Sequence, residues 1–394
     1  MCMILSLGIR MKKIVKEHNK KRIALVISLC ISAVLFGGCT PMQLMQQAIN
    51  DRLEQAVVGE TQQVSSVSTD RYAYQQLQAE EQQVYDQILD CVMQHTDCVA
   101  VSTKDEKALE KAYECVMADY GELFWFSGYQ YNTYSNFDQI IGLEFMPTYI
   151  YTEQEREELQ QQVDMVADAW LAEVPADASD YEKAKFVYET LIEQVDYDTE
   201  SENNQNILSV FIGKKTVCQG YADATQYLLH QLGIPAIVVT GTAGGENHAW
   251  NLVNLDGEYY YIDTTWGNTH FLGEWQGAKK IDYGYLNART QDLAQTHTAQ
   301  MPFAMPACES VVDNYFYQEG LYFETADMAV IGKKVTQEYL QGEKEICLRM
   351  SNLQDYLQVK EHLIDKEEVF RYCNGAREIT YFENQALCIL TILL

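Results

Sequence analysis

The feature that most limits how this chain can fold is a dipeptide, Asp256-Gly257, set between two alternating apolar segments, 248–254 and 259–263. Asp-Gly is the chemistry of a two-residue hairpin turn, because both central residues of that turn take positive φ. With two central residues, Asn254 faces Tyr259, Leu252 faces Tyr261, Trp250 faces Asp263 and His248 faces Thr265. Side chains alternate along a strand, so His248 and Asp263 share one face as diagonal neighbours, roughly 7–8 Å apart at the backbone. A three-residue loop would put them on opposite faces.

The segment before the hairpin reads as a helix. Val217, Tyr221, Ala224, Leu228 and Leu232 recur on one helical face, and Gly233 and Pro235 stop it. Cys218 then falls in the first turn, where unpaired N–H groups and the helix dipole favour a negative sulfur. Gly220 and Ala222 add little bulk beside it, which suits close approach of a substrate. Residues 236–240 read as a short strand, and 241–247 as a small-residue loop able to shape a cleft.

The motifs VCQGYA, NHAWN and YYIDTTWG resemble the three core motifs of the transglutaminase-like superfamily, whose catalytic domain is related to papain-type cysteine proteases. The resemblance covers about 90 to 110 residues, by its three ordered and spaced motifs. It implies a nucleophile at Cys218, a base at His248 and an orienting carboxylate at Asp263. It also implies an α+β fold in which the nucleophile helix packs on an antiparallel sheet. The backbone N–H of Cys218 is the expected oxyanion donor, with Gln219 or Gln205 as second candidates. Tyr221, Trp250 and Trp266 are the cleft candidates. Taken singly, each of these residues is as well explained by packing; together, helix start, hairpin parity and motif order favour the chemistry. No Cys-x-x-Cys pair, His pair or Asp-rich calcium loop marks this stretch, so no cofactor and no metal are expected.

The beginning of the chain carries a different signal. Lys20, Lys21 and Arg22 precede an uncharged apolar run, 23–36, and then Gly37-Gly38-Cys39. The run is short for a spanning helix, which needs about 20 residues, and suits a secretory signal. Leu-Phe-Gly-Gly-Cys resembles the lipobox of bacterial lipoproteins, which implies lipidation of Cys39 and an extracytoplasmic protein anchored to the cell membrane. Met11 is an alternative start. Residues 1–38 hold seven of the 28 basic residues and one of the 57 acids, which leaves 21 basic against 56 acidic side chains, a net charge of −35. Such a chain is repelled by phosphate backbones, which argues against a nucleic-acid partner.

Around the core, 39–69 reads as a tether and 70–151 as a small α+β module with helices over 72–93 and after Ser102, then strands. Its cluster Phe124-Trp125-Phe126 is assigned to core. The catalytic module spans 152–300 and opens with two capping boxes, Thr152/Glu155 and Ser179/Glu182. His270 and His297 are read as surface or packing residues. A C-terminal α+β module, 301–394, is expected to hold a hairpin about Glu319-Gly320, a strand at 345–350, a helix at 353–372 and a final buried hairpin. The remaining cysteines form no recognised framework, and no essential disulfide is expected. The expected function is cysteine-dependent acyl transfer on peptide or glutamine amides, with protein or cell-wall peptide as substrate. The alternative is a surface module that binds without catalysis.

Overall fold

A computed structural model describes residues 71–136, 139–268 and 281–394. The expectations for 1–38, for the tether and for Cys39 and His270 lie outside these residues. Among those described, no helix is long and apolar enough to cross a membrane. The chain divides into two compact units, and the division falls inside helix Glu153–Leu171.

The first unit pairs two helices, Ala79–Met93 and Glu106–Asp119, with a three-stranded antiparallel sheet of order β1-β3-β2. These strands are β1 (Val99–Val101), β2 (Phe126–Asn136) and β3 (Gln139–Tyr149). The single helix expected over 72–93 is broken into Tyr72–Gln75 and Ala79–Met93. The break falls where Gln78, in extended backbone, starts the second piece as its N-cap, with its N–H donating to Glu81 Oε2 at 2.8 Å. The buried Asp119 carboxylate caps the start of the short first piece, accepting from the N–H groups of Ala73 (3.0 Å) and Tyr74 (2.9 Å). The second helix starts at Asp105 rather than Ser102, because the Asp105 side chain accepts from Lys107 N while the Ser102 N–H is taken by Gln87 Oε1. Phe124, Trp125 and Phe126 are buried core, as expected.

The second unit contains the central sheet. Helix Asp180–Gln194 opens with the reciprocal Ser179/Glu182 capping box. A parallel pair, β4 (Asp196–Tyr197) and β5 (Lys215–Thr216), brackets the short helix Ile207–Phe211 and leads into helix Cys218–Gln231. Four antiparallel strands follow in the order β8-β7-β6-β9: β6 (Ala236–Ala243), β7 (Glu246–Leu255), β8 (Glu258–Ile262) and β9 (His297–Ala299). The β7–β8 register runs from Leu255 opposite Glu258 to Asn251 opposite Ile262, which is the register the two-residue turn requires. Asp256 and Gly257 both have positive φ, 50° and 93°. The expected loop at 241–247 is instead mostly strand: Gly241 pairs with His248, and only Gly244-Gly245 turn, both at positive φ. Small residues there permit close strand approach, a use of glycine that composition alone does not separate from loop.

The last sheet has the order β10-β11-β13-β12, with β10 (Tyr322–Phe323) parallel to β11 (Glu345–Met350), and β12 (Thr380–Asn384) and β13 (Ile389–Leu393) antiparallel. The final apolar strand, β13, is interior to this sheet, which gives its all-apolar pattern a reason. The hairpin expected about Glu319-Gly320 is a helical turn, Tyr315–Gln318, capped by the Asn314 side chain. The helix expected over 353–372 is interrupted by a π turn, Glu361–Asp365, before Val369–Tyr372. Residues 305–394 cluster with the central sheet in the same unit. A buried ion pair, Arg349 Nη2 to Asp292 Oδ1 at 2.6 Å, joins β11 to the helical turn Thr290–Leu293, and Gly284 leaves room for the side chains of Leu387 and Ile389.

Candidate active site

Val217, in extended backbone, precedes a helix whose first residue is Cys218. Every residue from Cys218 to Leu229 is buried, so the sulfur sits on a helix held from all sides. The attachments are specific. Asn251 Nδ2 on β7 donates to Ala222 O (2.9 Å) and Ile237 O (3.2 Å), which joins helix, β7 and β6 through one amide. Gln226 Nε2 donates to Ala236 O, and Thr225 shares a hydroxyl hydrogen bond with Thr264 beyond β8.

Residues Thr264–Gly267 form one helical turn immediately after β8, with Asp263 as its cap. Asp263 Oδ1 accepts from Trp266 N at 3.0 Å, which leaves Oδ2 turned towards the sheet. There His248 Nε2 donates to it at 2.7 Å. The hairpin parity read from Asp256-Gly257 thus brings His248 and Asp263 together. With Nε2 committed to Asp263, Nδ1 is the nitrogen left for Cys218, which is near enough to favour the charged ring.

The electrostatics follow from burial against partners. Burial disfavours a charged His248, but the Asp263 carboxylate and then Cys218 outweigh it, and the imidazole is pushed up to about 10. Burial opposes the charge on Asp263 too; His248 and His297 overcome it and hold the carboxyl well below the usual carboxylate range. Tyr197 on β4 is raised to about 12, by burial first and by the nearby Cys218 charge second.

His297, read from the sequence as a surface or packing residue, is buried, and its contact with Asp263 was not foreseen: its Nε2 lies 2.9 Å from Asp263 Oδ2, the oxygen that also holds His248. It reaches the site because β9 pairs with β6, placing His297 opposite Ala243. Trp250 stacks near His248 (centroids 5.9 Å, 19°), while Trp266 packs against both imidazoles.

The other candidates separate by burial. Tyr221 is 1% exposed, donates to Val195 O and accepts from Asn268, so it is core and not a cleft wall. Trp250 is likewise buried and backs the histidines, whereas Trp266 keeps partial exposure. Gln219 is buried with its amide nitrogen on Asp223 Oδ1 at 2.8 Å, which turns it along the helix rather than to the sulfur. Gln205 donates to Asn204 Oδ1, and its buried Oε1 lacks a hydrogen-bond partner. The space beside Gly220 is filled by Thr216, Ser209 and Asn206, so its smallness serves packing and not substrate approach. Cys218 itself retains 9% exposure, slightly more than His248 at 8%.

Among the described residues, His248, Asp263 and His297 also form a group close enough together to hold a metal ion. Their spacing argues for hydrogen bonds instead. Ligands at tetrahedral positions about 2.0–2.1 Å from zinc stand about 3.3 Å apart. Here each ring nitrogen lies 2.7–2.9 Å from the same oxygen, the distance of a shared proton.

Residues 168–264 match the Transglutaminase-like superfamily, a stretch that contains Cys218, His248 and Asp263 and stops short of His297. The core of this chain is therefore transglutaminase-like, in an α+β setting. Over 107 residues the chain is 25% identical to kyphoscoliosis peptidase of Mus musculus and 23% identical to that of Homo sapiens. Each match covers 23% of this chain and 16% of the relative, so the chain spans about a sixth of the curated relatives' length. The crystal structure of a TGase is similar at 16% identity over 39% of this chain and 47% of its own, with a TM-score of 0.27, too slight to argue from.

Proposed function

We propose that this transglutaminase-like core performs cysteine-dependent acyl transfer on amides, with Cys218 as nucleophile, His248 as acid and base, and Asp263 as the group that orients the imidazole. One observation carries the reading: His248 Nε2 is fixed at 2.7 Å on a buried carboxylate, with the opposite ring nitrogen left for a cysteine at the start of a helix. The cation-favouring site at His248 lets the imidazole hold the proton that the sulfur gives up.

The sulfur attacks the amide carbonyl carbon, and the C–S bond forms as the carbonyl electrons move to oxygen. First-turn N–H groups of helix Cys218–Gln231 are the donors in place for that oxyanion. The imidazolium returns its proton to the leaving nitrogen, the C–N bond breaks, and a thioester remains. Water, or an amine, then attacks the thioester; His248 removes the nucleophile's proton and the thiolate leaves. Asp263 stays ionised throughout. Hydrolysis is the outcome we favour, because water is the abundant acceptor. The signal-like segment ending at Cys39 supports a lipid-anchored, extracytoplasmic setting, where cell-wall peptides or secreted proteins are the substrates at hand.

The test is thiol selectivity. Iodoacetamide at about pH 6 is expected to alkylate Cys218 far faster than the other cysteines, since an ordinary thiol near 8.5 is almost wholly protonated there. The preference is expected to vanish in His248→Ala. Equal rates at all cysteines in the unmodified protein would favour a binding module over an enzyme. A fluorescent primary amine separates the two outcomes of transfer: incorporated label means transamidation, and fragments or ammonia mean hydrolysis.

A further inference from the structure

We propose that His297 is a positioning residue of this site: an imidazole on β9 that donates its Nε2–H to Asp263 Oδ2 and draws charge from the oxygen that holds His248. The inference rests on the catalytic reading above, and it assigns a role to a residue that lies outside the matched stretch 168–264.

The direction of the hydrogen bond follows from the partners. Asp263 is an acceptor only, because its carboxyl is held ionised. The 2.9 Å contact therefore needs a proton on His297 Nε2. On the other side of the ring, Nδ1 lies 2.7 Å from Thr296 Oγ1, while that hydroxyl's alternative acceptor, Leu293 O, is at 3.4 Å. Nδ1 thus has a hydroxyl partner of its own, and the ring is fixed at both nitrogens. Asp263 Oδ2 receives one imidazole from β9 and one from β7.

The surroundings keep this interaction strong. His297 is 6% exposed and packed by Trp250 (5.2 Å between centroids) and Trp266 (5.0 Å). The titratable groups facing the cluster are Asp263 itself, His248 on β7 at 5.6 Å between ring centroids, and Tyr285 at 6.2 Å. Tyr188, on helix Asp180–Gln194, lies within range of the Asp263 charge, and Cys218 acts on His248 from the nucleophile helix. No Lys or Arg is among these described neighbours, so His297 is the second donor that the buried Oδ2 receives. The docking of β9 has its own accommodation. A Cβ on Gly241 would stand 2.1 Å from Thr298 O, so the strand carrying His297 reaches β6 only because position 241 has no side chain.

Two N–H donors on one oxygen compete for its electrons. With His297 present, Oδ2 is less basic and His248 releases its proton more readily. The test is an alkaline titration of His248 Cε1 by NMR in the full chain carrying 13C-labelled histidine, assigned with His248→Gln. In His297→Phe the His248 titration is expected to move up by about 0.5–1 pH unit, the share of one charge-assisted hydrogen bond passed through a common oxygen. His297→Gln, whose amide reaches as far as Nε2, is expected to recover at least half of the shift. Should the phenylalanine variant fail to fold, His297→Asn, too short to reach Asp263, takes its place with the same expected shift. An unmoved or lowered His248 titration overturns the proposal. Because this readout needs no turnover, it stands apart from the catalytic reading, which fails instead if Cys218 of the unmodified protein shows no selective alkylation.

Discussion

Replacing Asp263 by Asn changes one atom and should disable the site while leaving the fold intact. Asp263 accepts three hydrogen bonds: Trp266 N on Oδ1, and both imidazole Nε2 atoms on Oδ2. An amide cannot satisfy all three. With its NH2 at the Oδ2 position it faces two N–H donors, and after a flip it faces the Trp266 N–H. Asn is a good helix cap, so the flip that keeps the cap is the expected one only at the cost of the histidines. His248 then loses the charge that outweighs its burial, and its titration should fall from about 10 to at or below the ordinary 6.5. That gap of 3.5 pH units corresponds to about 5 kcal/mol of charge stabilisation as a ceiling. The sign is fixed by the raised value. In the unmodified protein the protonated imidazole contributes stability fully below about pH 6.5. That contribution is lost as pH climbs from there through about 10. The stability difference between the unmodified protein and Asp263→Asn should therefore be large at pH 6 and shrink towards pH 10, read by urea unfolding at each pH. Cys218 alkylation at pH 6 should slow by up to about 300-fold, the ratio between a thiolate and the ionised fraction that an ordinary thiol near 8.5 keeps at that pH. A stability difference that stays constant from pH 6 to 10, or that grows with pH, refutes the assignment of His248 as a cation held by Asp263.

Three further outcomes follow from particular contacts. Gly241→Ala should lower stability by about 2–3 kcal/mol by thermal or urea unfolding, because the added carbon meets backbone at Thr298 and the ring of Trp250. It should also slow Cys218 alkylation, and a neutral result would mean that β9 does not depend on this clearance. Tyr221→Phe should cost about 1–3 kcal/mol by leaving Val195 O and Asn268 Nδ2 without their buried partner. Its KM for any peptide substrate should be unchanged; a raised KM with full stability would restore Tyr221 to the cleft. Asn251→Leu removes the amide that joins helix, β6 and β7, and should cost about 2–4 kcal/mol in urea unfolding through the loss of two buried hydrogen bonds.

Much of the site could be read directly from residue order. The turn at Asp256-Gly257, the stop at Gly233 and the cap at Ser179 are local devices, each complete within a few residues, and each appears where the pattern puts it. Because alternation along two joined strands is a matter of parity, the sequence alone was enough to put His248 and Asp263 on one face. The first turn of a helix was equally legible for Cys218. What escaped was decided across distance. His297 stands 34 residues beyond Asp263, and nothing in its neighbourhood signals that β9 will pair with β6. Tyr221 and Trp250 look like cleft aromatics beside reactive residues until the packing of a whole unit covers them. Local φ preferences and periodicity decided the helix of Cys218, the β7–β8 hairpin and the two-residue core of the site. Which side chains finish it depended on long-range strand pairing and on what each surface meets, quantities that no short window of sequence contains.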